Sequence, residues 1–142
     1  MSAQGGPTNV LFERWLERYK QAWERRDPAA AKALFSPDAR YQETPFDEEM
    51  RGAEAIAQYW ERETSRQRDV RFSADLLAIS GALAVAHWRA SFFSESSSAA
   101  VTLDGVCAFE LDRDGRCLSF REWWHRHSSA ADSGRGGHRG EG

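Results

Sequence analysis

Long apolar runs are missing from this chain of 142 residues. Its most apolar stretch, Leu76 to Trp88, is too short to span a bilayer and is interrupted by Ser80-Gly81. The opening MSAQGGPTN has no apolar core of the kind a secretory signal needs. Cysteine is scarce: Cys107 and Cys117 fit neither CxxC nor zinc-ligand spacing. These absences lead us to expect a soluble, cytoplasmic protein with no membrane partner. Charge of one sign does not dominate either. The net charge is −3 and the arginines are scattered among acids, which leaves no footprint for nucleic acid. No G-x-S-x-G elbow, Walker A loop or G-x-G-x-x-G fingerprint occurs, so nothing supports serine-hydrolase, nucleotide or dinucleotide chemistry. No internal repeat is visible.

Aromatics, by contrast, are abundant. Six Trp and eight Phe suggest a bulky core or an aromatic-walled cavity. With 41% hydrophobic and 29% charged residues, the composition is that of one globular domain. The expected boundaries are a flexible start over 1–8, a domain over 9–127, and a disordered glycine-rich tail over 128–142.

Periodicity predicts a first helix from about Asn9 to Arg26, with Phe12, Trp15, Leu16, Tyr19, Ala22 and Trp23 forming one apolar stripe. Asp27-Pro28 reads as an N-cap followed by proline at the first helical position, giving a second helix over Pro28 to Phe35 that Pro37 stops. A strand over Ala39–Thr44 leads into an acidic turn. A third helix follows at about Ala53–Arg66, with Ile56, Tyr59, Trp60 and Glu63 on or near its inner face. Four further strands are expected at 69–79, 82–95, 99–112 and 116–126.

Asp114-Gly115 is a strong two-residue hairpin signal and fixes a register. One face then pairs Leu111 with Leu118, Phe109 with Phe120, Cys107 with Glu122 and Gly105 with Trp124. That face reads as the buried one, and Glu122 is a charged residue on it. The same register puts Cys107 and Cys117 on opposite faces, which argues against a disulfide. On the outer face, Asp104 opposite His125 suggests a cross-strand ion pair, and Arg89 reads as structural.

The stretch RYQETPFDEE, residues 40–49, raises the chemical question. Asp47, Glu48 and Glu49 sit in the turn, where charge is ordinary. Glu43 shares a strand face with Ala39 and Tyr41. A carboxylate there is either solvated at an edge or aimed into an apolar pocket, where desolvation raises its pKa toward the range useful for proton transfer.

The element order α-α-β-α-β-β-β-β resembles that of the NTF2-like superfamily, and most closely its SnoaL-like, ketosteroid-isomerase-like branch. RY at 18–19, the DP helix start, ARYQETPF, RGAEAIAQYW, LDGVCAFELDRDGR and the closing EWW carry the resemblance, over about residues 9–127. It implies an α+β cone, in which a curved mixed or antiparallel sheet wraps around three N-terminal helices. It also implies a pocket at the open end and a homodimer formed through the sheet. In the isomerase branch a first-helix tyrosine donates to an oxyanion, a first-strand carboxylate is the base, and a protonated aspartic acid on a later strand is the second donor. The resemblance therefore implies Tyr19 as donor and Glu43 as base, with Trp124 as an aromatic wall. Cys107 stands where the second donor is expected, and Phe35 and Trp60 stand where some members carry supporting tyrosines. Glu122, directly across from Cys107, is our candidate to supply the missing donor in protonated form. The epoxide-hydrolase branch needs an alternating Arg and Asp on the strand that here reads HWRASFF. Its inward positions are Ala86, Trp88, Ala90 and Phe92, so that chemistry is not expected.

Catalytic candidates are thus Glu43, Tyr19 and Glu122. Pocket-lining candidates are Tyr41, Trp60, Trp88, Cys107, Phe120 and Trp124; Trp15 and Trp23 read as core. His87, His125 and His127 lack the carboxylate–histidine spacing of a metal site, so neither metal nor cofactor is expected. The expected ligand is a small apolar molecule. Cofactor-free acid–base catalysis of the isomerase, cyclase or dehydratase type is one reading. A non-catalytic binding module and a dimeric association module are the others.

Overall fold

The computed structural model describes residues 5–129, which form three helices and six strands. Of the start read as flexible, residues 1–4 lie outside that range and residues 5–8 belong to the first helix; of the glycine-rich tail, residues 130–142 lie outside it and Ser128 ends the last strand. Helix α1 spans Gly5–Glu24, and its stripe of Phe12, Trp15, Leu16, Tyr19, Ala22 and Trp23 is buried throughout. Glu24 fastens the end of α1 to the sheet, accepting the Phe72 N–H at 2.9 Å and pairing with Lys20 at 3.1 Å.

Helix α2, Pro28–Ala33, starts as the sequence indicates: the Asp27 side chain accepts the Ala30 N–H at 3.1 Å. It ends sooner than expected. Leu34 caps it, and strand β1, Phe35–Gln42, begins at once. Pro37 therefore lies inside a strand rather than stopping a helix. The parallel pairing of β1 with strand β6, Cys117–Ser128, jumps from Phe35↔Cys117 to Arg40↔Ser119. Pro37 occupies that irregular stretch, where a missing N–H costs no regular ladder bond.

The acidic turn hides a two-residue strand, β2 (Met50–Arg51), antiparallel to β1. Gly52 then donates its N–H to the Ala39 carbonyl at 2.7 Å, with φ of 93°. That conformation favours glycine, and it turns the chain into α3, Ala53–Thr64.

Strands β3 (Gln67–Ser80), β4 (Leu83–Ser94) and β5 (Ala99–Leu111) complete an open, curved sheet with the order β2-β1-β6-β5-β4-β3. All neighbours except β1 and β6 are antiparallel. Register shifts at Arg68–Arg71 and Leu76–Ala78 bend β3 against β4. The concave face wraps the helices, and Ala86, Trp88, Ala90 and Phe92 of β4 all point into the core as expected.

The β5–β6 register agrees with the sequence reading from Val101↔Ser128 to Glu110↔Ser119, and so places Cys107 opposite Glu122. It fails at the tip. Asp112 accepts the N–H groups of Asp114 and Arg116, both at 2.9 Å, and its own N–H reaches the Arg116 carbonyl at 2.7 Å. This makes a wider loop with Gly115 at φ 81°, and it shifts the pairing to Leu111↔Cys117. Cys117 therefore turns inward and is buried, while Leu118 turns outward. The two cysteines do not lie on opposite faces; both are free and both are core residues.

On the outer face, Asp104 does lie opposite His125. Its carboxylate turns the other way, toward β4, meeting His87 Nε2 at 2.9 Å and Arg89 Nε at 3.1 Å. Among the described residues no helix is long and apolar enough to cross a membrane.

Candidate functional site

Three polar side chains converge in the aromatic core. Tyr19 from α1 and Tyr41 from β1 approach with hydroxyl oxygens 3.5 Å apart. Tyr41 donates to Glu122 Oε2 on β6 at 3.0 Å. Tyr19, Tyr41 and Glu122 are 3%, 2% and 3% exposed, so the series lies out of bulk water. Strand alternation brings Tyr41 and Glu122 to the concave face, and helical spacing brings Tyr19 there.

Stacking fixes the tyrosines. Phe120 lies almost parallel to Tyr41, with centroids 5.0 Å apart at 8°, and to Tyr19, at 5.5 Å and 13°. Trp60 meets Tyr19 edge-on at 5.3 Å, and Phe35 meets Tyr41 at 5.8 Å. Phe35 and Trp60, standing where supporting tyrosines were considered, thus hold the rings by packing. The polar support comes from Tyr41, whose hydroxyl touches both other members.

Cys107 faces Glu122 across the β5–β6 ladder. Burial, with the adjacent Glu122 carboxylate adding to it, pushes the Cys107 thiol well above its usual range. It stays a protonated, weak donor.

A narrow cleft opens over this series between α1, β1, α3 and the start of β3. Tyr19, Trp23, Tyr41, Tyr59, Trp60, Glu63 and Gln67 line it together with Thr64, around a free volume of about 20 Å³. That is room for about one water molecule. Of the residues expected to line a pocket, Tyr41 and Trp60 do so here, as does Tyr19. Trp88, Cys107 and Phe120 lie deeper, in the core. Trp124 is half-buried, and its indole N–H donates to the Glu43 backbone carbonyl at 2.9 Å.

Glu43 sits one residue past the end of β1, half-buried rather than inside the cleft. The last β1–β6 pair is Gln42↔Arg121, so Glu43 continues the strand line beside Glu122. Glu63, by contrast, lines the cleft directly. Its inner-face position on α3 was visible in the sequence, but helical spacing alone does not separate a lining carboxylate from a solvated one. Gln67 was missed altogether, because it is the first residue of β3, two positions before the expected strand begins. Its Oε1 accepts the Trp23 indole N–H at 2.8 Å.

The sequence matches the profile of the SnoaL-like domain over residues 16–120. The chain belongs to the SnoaL-like domain family. Solved structures agree on the NTF2-like fold. The epoxide hydrolase/cyclase-like enzyme SalBIII, which has a role in pyran ring formation in the polyether salinomycin, is 17% identical with a TM-score of 0.69, covering 85% of this chain and 92% of that one. A Catenulispora acidiphila protein with a ketosteroid isomerase-like fold, solved with trimethylamine, is 15% identical with a TM-score of 0.68, over 77% and 83% of the two chains. An M. tuberculosis LEH-like epoxide hydrolase is 22% identical with a TM-score of 0.58, over 78% and 80%. A comparison with curated proteins gave no match. This SnoaL-like domain therefore shares a scaffold with proteins of several chemistries, and its own chemistry has to be argued from its side chains.

Proposed function

We propose that this SnoaL-like protein is a cofactor-free acid–base catalyst for a small, largely apolar carbonyl compound. The observation that carries the reading is the buried series Tyr19–Tyr41–Glu122 at the floor of the cleft. In the structure Tyr41 donates to Glu122; uptake of a proton by Glu122 reverses that bond, and the series then runs in one direction. The carboxylic acid donates to Tyr41, Tyr41 to Tyr19, and Tyr19 to the oxygen of the substrate. Each bond polarises the next, and the low-dielectric core strengthens all of them. Glu43, at the end of β1, takes a proton from the carbon next to the carbonyl. The electron pair moves onto the oxygen as an enolate held by Tyr19. Return of the proton from Glu43 to another carbon gives isomerisation; its delivery to a β-hydroxyl, which leaves as water, gives dehydration; attack of the enolate carbon on a second carbonyl, whose oxygen takes that proton, gives cyclisation. Glu63, on the cleft wall, is the second candidate base. Access requires Tyr59 and Trp60 of α3 to move aside, because the cleft as it stands holds about one water molecule.

The test is α-proton exchange. Cyclic and linear ketones are incubated with the protein in D2O, and deuterium uptake is followed by NMR. Glu43→Gln should slow exchange at least 100-fold, and Tyr19→Phe by about the same factor. If Glu63→Gln abolishes exchange while Glu43→Gln does not, the base moves to α3. Exchange absent from the whole panel, or indifferent to all three substitutions, sinks the mechanism.

A non-catalytic binding module is the second reading. Cys107 favours it, since a buried thiol is a poor replacement for an acidic second donor. Saturable ketone binding without exchange would establish that reading.

A further inference from the structure

Trp88 stands near the middle of the concave sheet face. In the ladder it faces Ala74 of β3 on one side and Gly105 of β5 on the other, and Trp124 follows across Gly105. Its indole packs against Phe72, at 6.1 Å and 18°, and against Trp23, at 6.1 Å and 54°. Trp88 is 2% exposed.

Three other indoles have their N–H groups paired. Trp23 donates to Gln67, Trp15 to the Leu34 carbonyl and Trp124 to the Glu43 carbonyl. Trp88 Nε1 is buried and finds no hydrogen-bond acceptor among the described residues. A buried donor of this kind is uncommon and destabilising relative to a phenylalanine, which would fill the same aromatic stack without one.

We propose that the Trp88 N–H is a recognition donor, which binds an oxygen acceptor on the ligand of this cone. The inference rests on the ligand-binding reading above and narrows its substrate class. Tyr19 and Trp88 are both neighbours of Phe72 and of Trp23, so one aromatic layer separates the two donors. Trp23 both lines the cleft and packs on Trp88, so it is the ring a ligand entering by the cleft would displace to reach Trp88. The fitting ligand is mostly apolar, and it carries a second oxygen function (carbonyl, ether or hydroxyl) beyond the one held by Tyr19.

The experiment follows the indole N–H signals of the full-length 15N-labelled protein during titration with the diketone cyclohexane-1,4-dione, which carries one oxygen for each donor, and, separately, methylcyclohexane. These are rings of one size, with and without an acceptor. The Trp88 signal is assigned by its contacts to Phe72 in the unmodified protein and checked with Trp88→Phe. We expect it to move downfield with the ketone only, and Trp88→Phe to weaken ketone binding about tenfold while leaving the hydrocarbon within about twofold. Should Trp88→Phe fail to fold, the titration of the unmodified protein still decides. If the signals of Trp23 and Trp60 respond to the ketone and that of Trp88 does not, the donor role is overturned and the binding reading survives. Equal responses to both probes mean contact without a hydrogen bond, and overturn the donor role too. If no indole signal responds to either probe, the binding reading fails and the donor role falls with it.

Discussion

Tyr41 donates its hydroxyl proton to Glu122 across 3.0 Å, and both residues are sealed into an aromatic core. The pair links two strands that run parallel, β1 and β6. A carboxyl group in such surroundings is costly to keep unless its oxygens are satisfied. Tyr41→Phe is therefore expected to destabilise the fold by about 1–3 kcal/mol, measured by urea unfolding. Combined with Glu122→Gln, the effects should be non-additive by about 0.5 kcal/mol or more. Strict additivity would show that the two groups do not act together.

Gly105 is expected to tolerate no side chain. A Cβ built there would overlap the Trp123 carbonyl oxygen and sit 2.7 Å from the Trp124 Cβ. These are atoms of the neighbouring strand and of the root of a side chain, so neither can swing away. Gly105→Ala should cost about 1–3 kcal/mol. A melting temperature equal to that of the unmodified protein would mean that β5 and β6 separate more easily than their ladder implies.

Both thiols should be chemically silent in the folded state. Burial holds Cys107 and Cys117 far above the usual thiol range, and the adjacent Glu122 carboxylate adds to this at Cys107. Thiolate is the reactive form. An aromatic disulfide reagent at pH 8 should titrate neither cysteine until denaturant is added. Rapid native labelling of either would show that the core opens readily.

Acid should weaken the outer face. The hydrogen bond from His87 holds Asp104 below its ordinary value, with help from the charges of His87 and Arg89 and the hydrogen bond from Arg89. A lowered folded pKa contributes stability above the unfolded value and loses it as pH falls through the folded one. The loss is expected below about pH 3.9, and it is small because the pair is solvent-screened. Asp104→Asn should lower stability near neutral pH and make no difference near pH 2. A substitution effect that does not change across that range would remove Asp104 from the acid response.

Much of this was written in the chain. The Phe12–Trp23 stripe, the Asp27-Pro28 helix start and most of the β5–β6 register follow from spacing and turn chemistry, and they place Glu122 opposite Cys107 before any coordinates exist. The slip at Leu111↔Cys117 was not legible, because it depends on the Asp112 carboxylate capping two N–H groups and widening the loop. Strand β1 was misjudged because Pro37 reads locally as a stop, whereas its tolerance depends on a partner strand far along the chain. Tyr19 and Glu122 lie on the inner faces where spacing puts them, and both are buried. The role of Tyr41 was not legible: a tyrosine on a strand shows its face in the sequence, but not the two hydroxyl partners that reach it from α1 and β6.

The distances along the chain have a kinetic meaning. The bond from Tyr41 to Glu122 and the bond from Trp124 to Glu43 each close a span of 81 residues. Neither forms until β6 docks beside β1, and the cost of closing so long a loop is met only when both strands are present and the sheet between them has folded. The β3–β4–β5 meander is local and needs no such closure. A chain emerging from synthesis can thus build most of its sheet early, yet it cannot assemble the tyrosine–carboxylate centre before its last strand arrives. The Tyr41–Glu122 contact then serves as a report that the fold is complete.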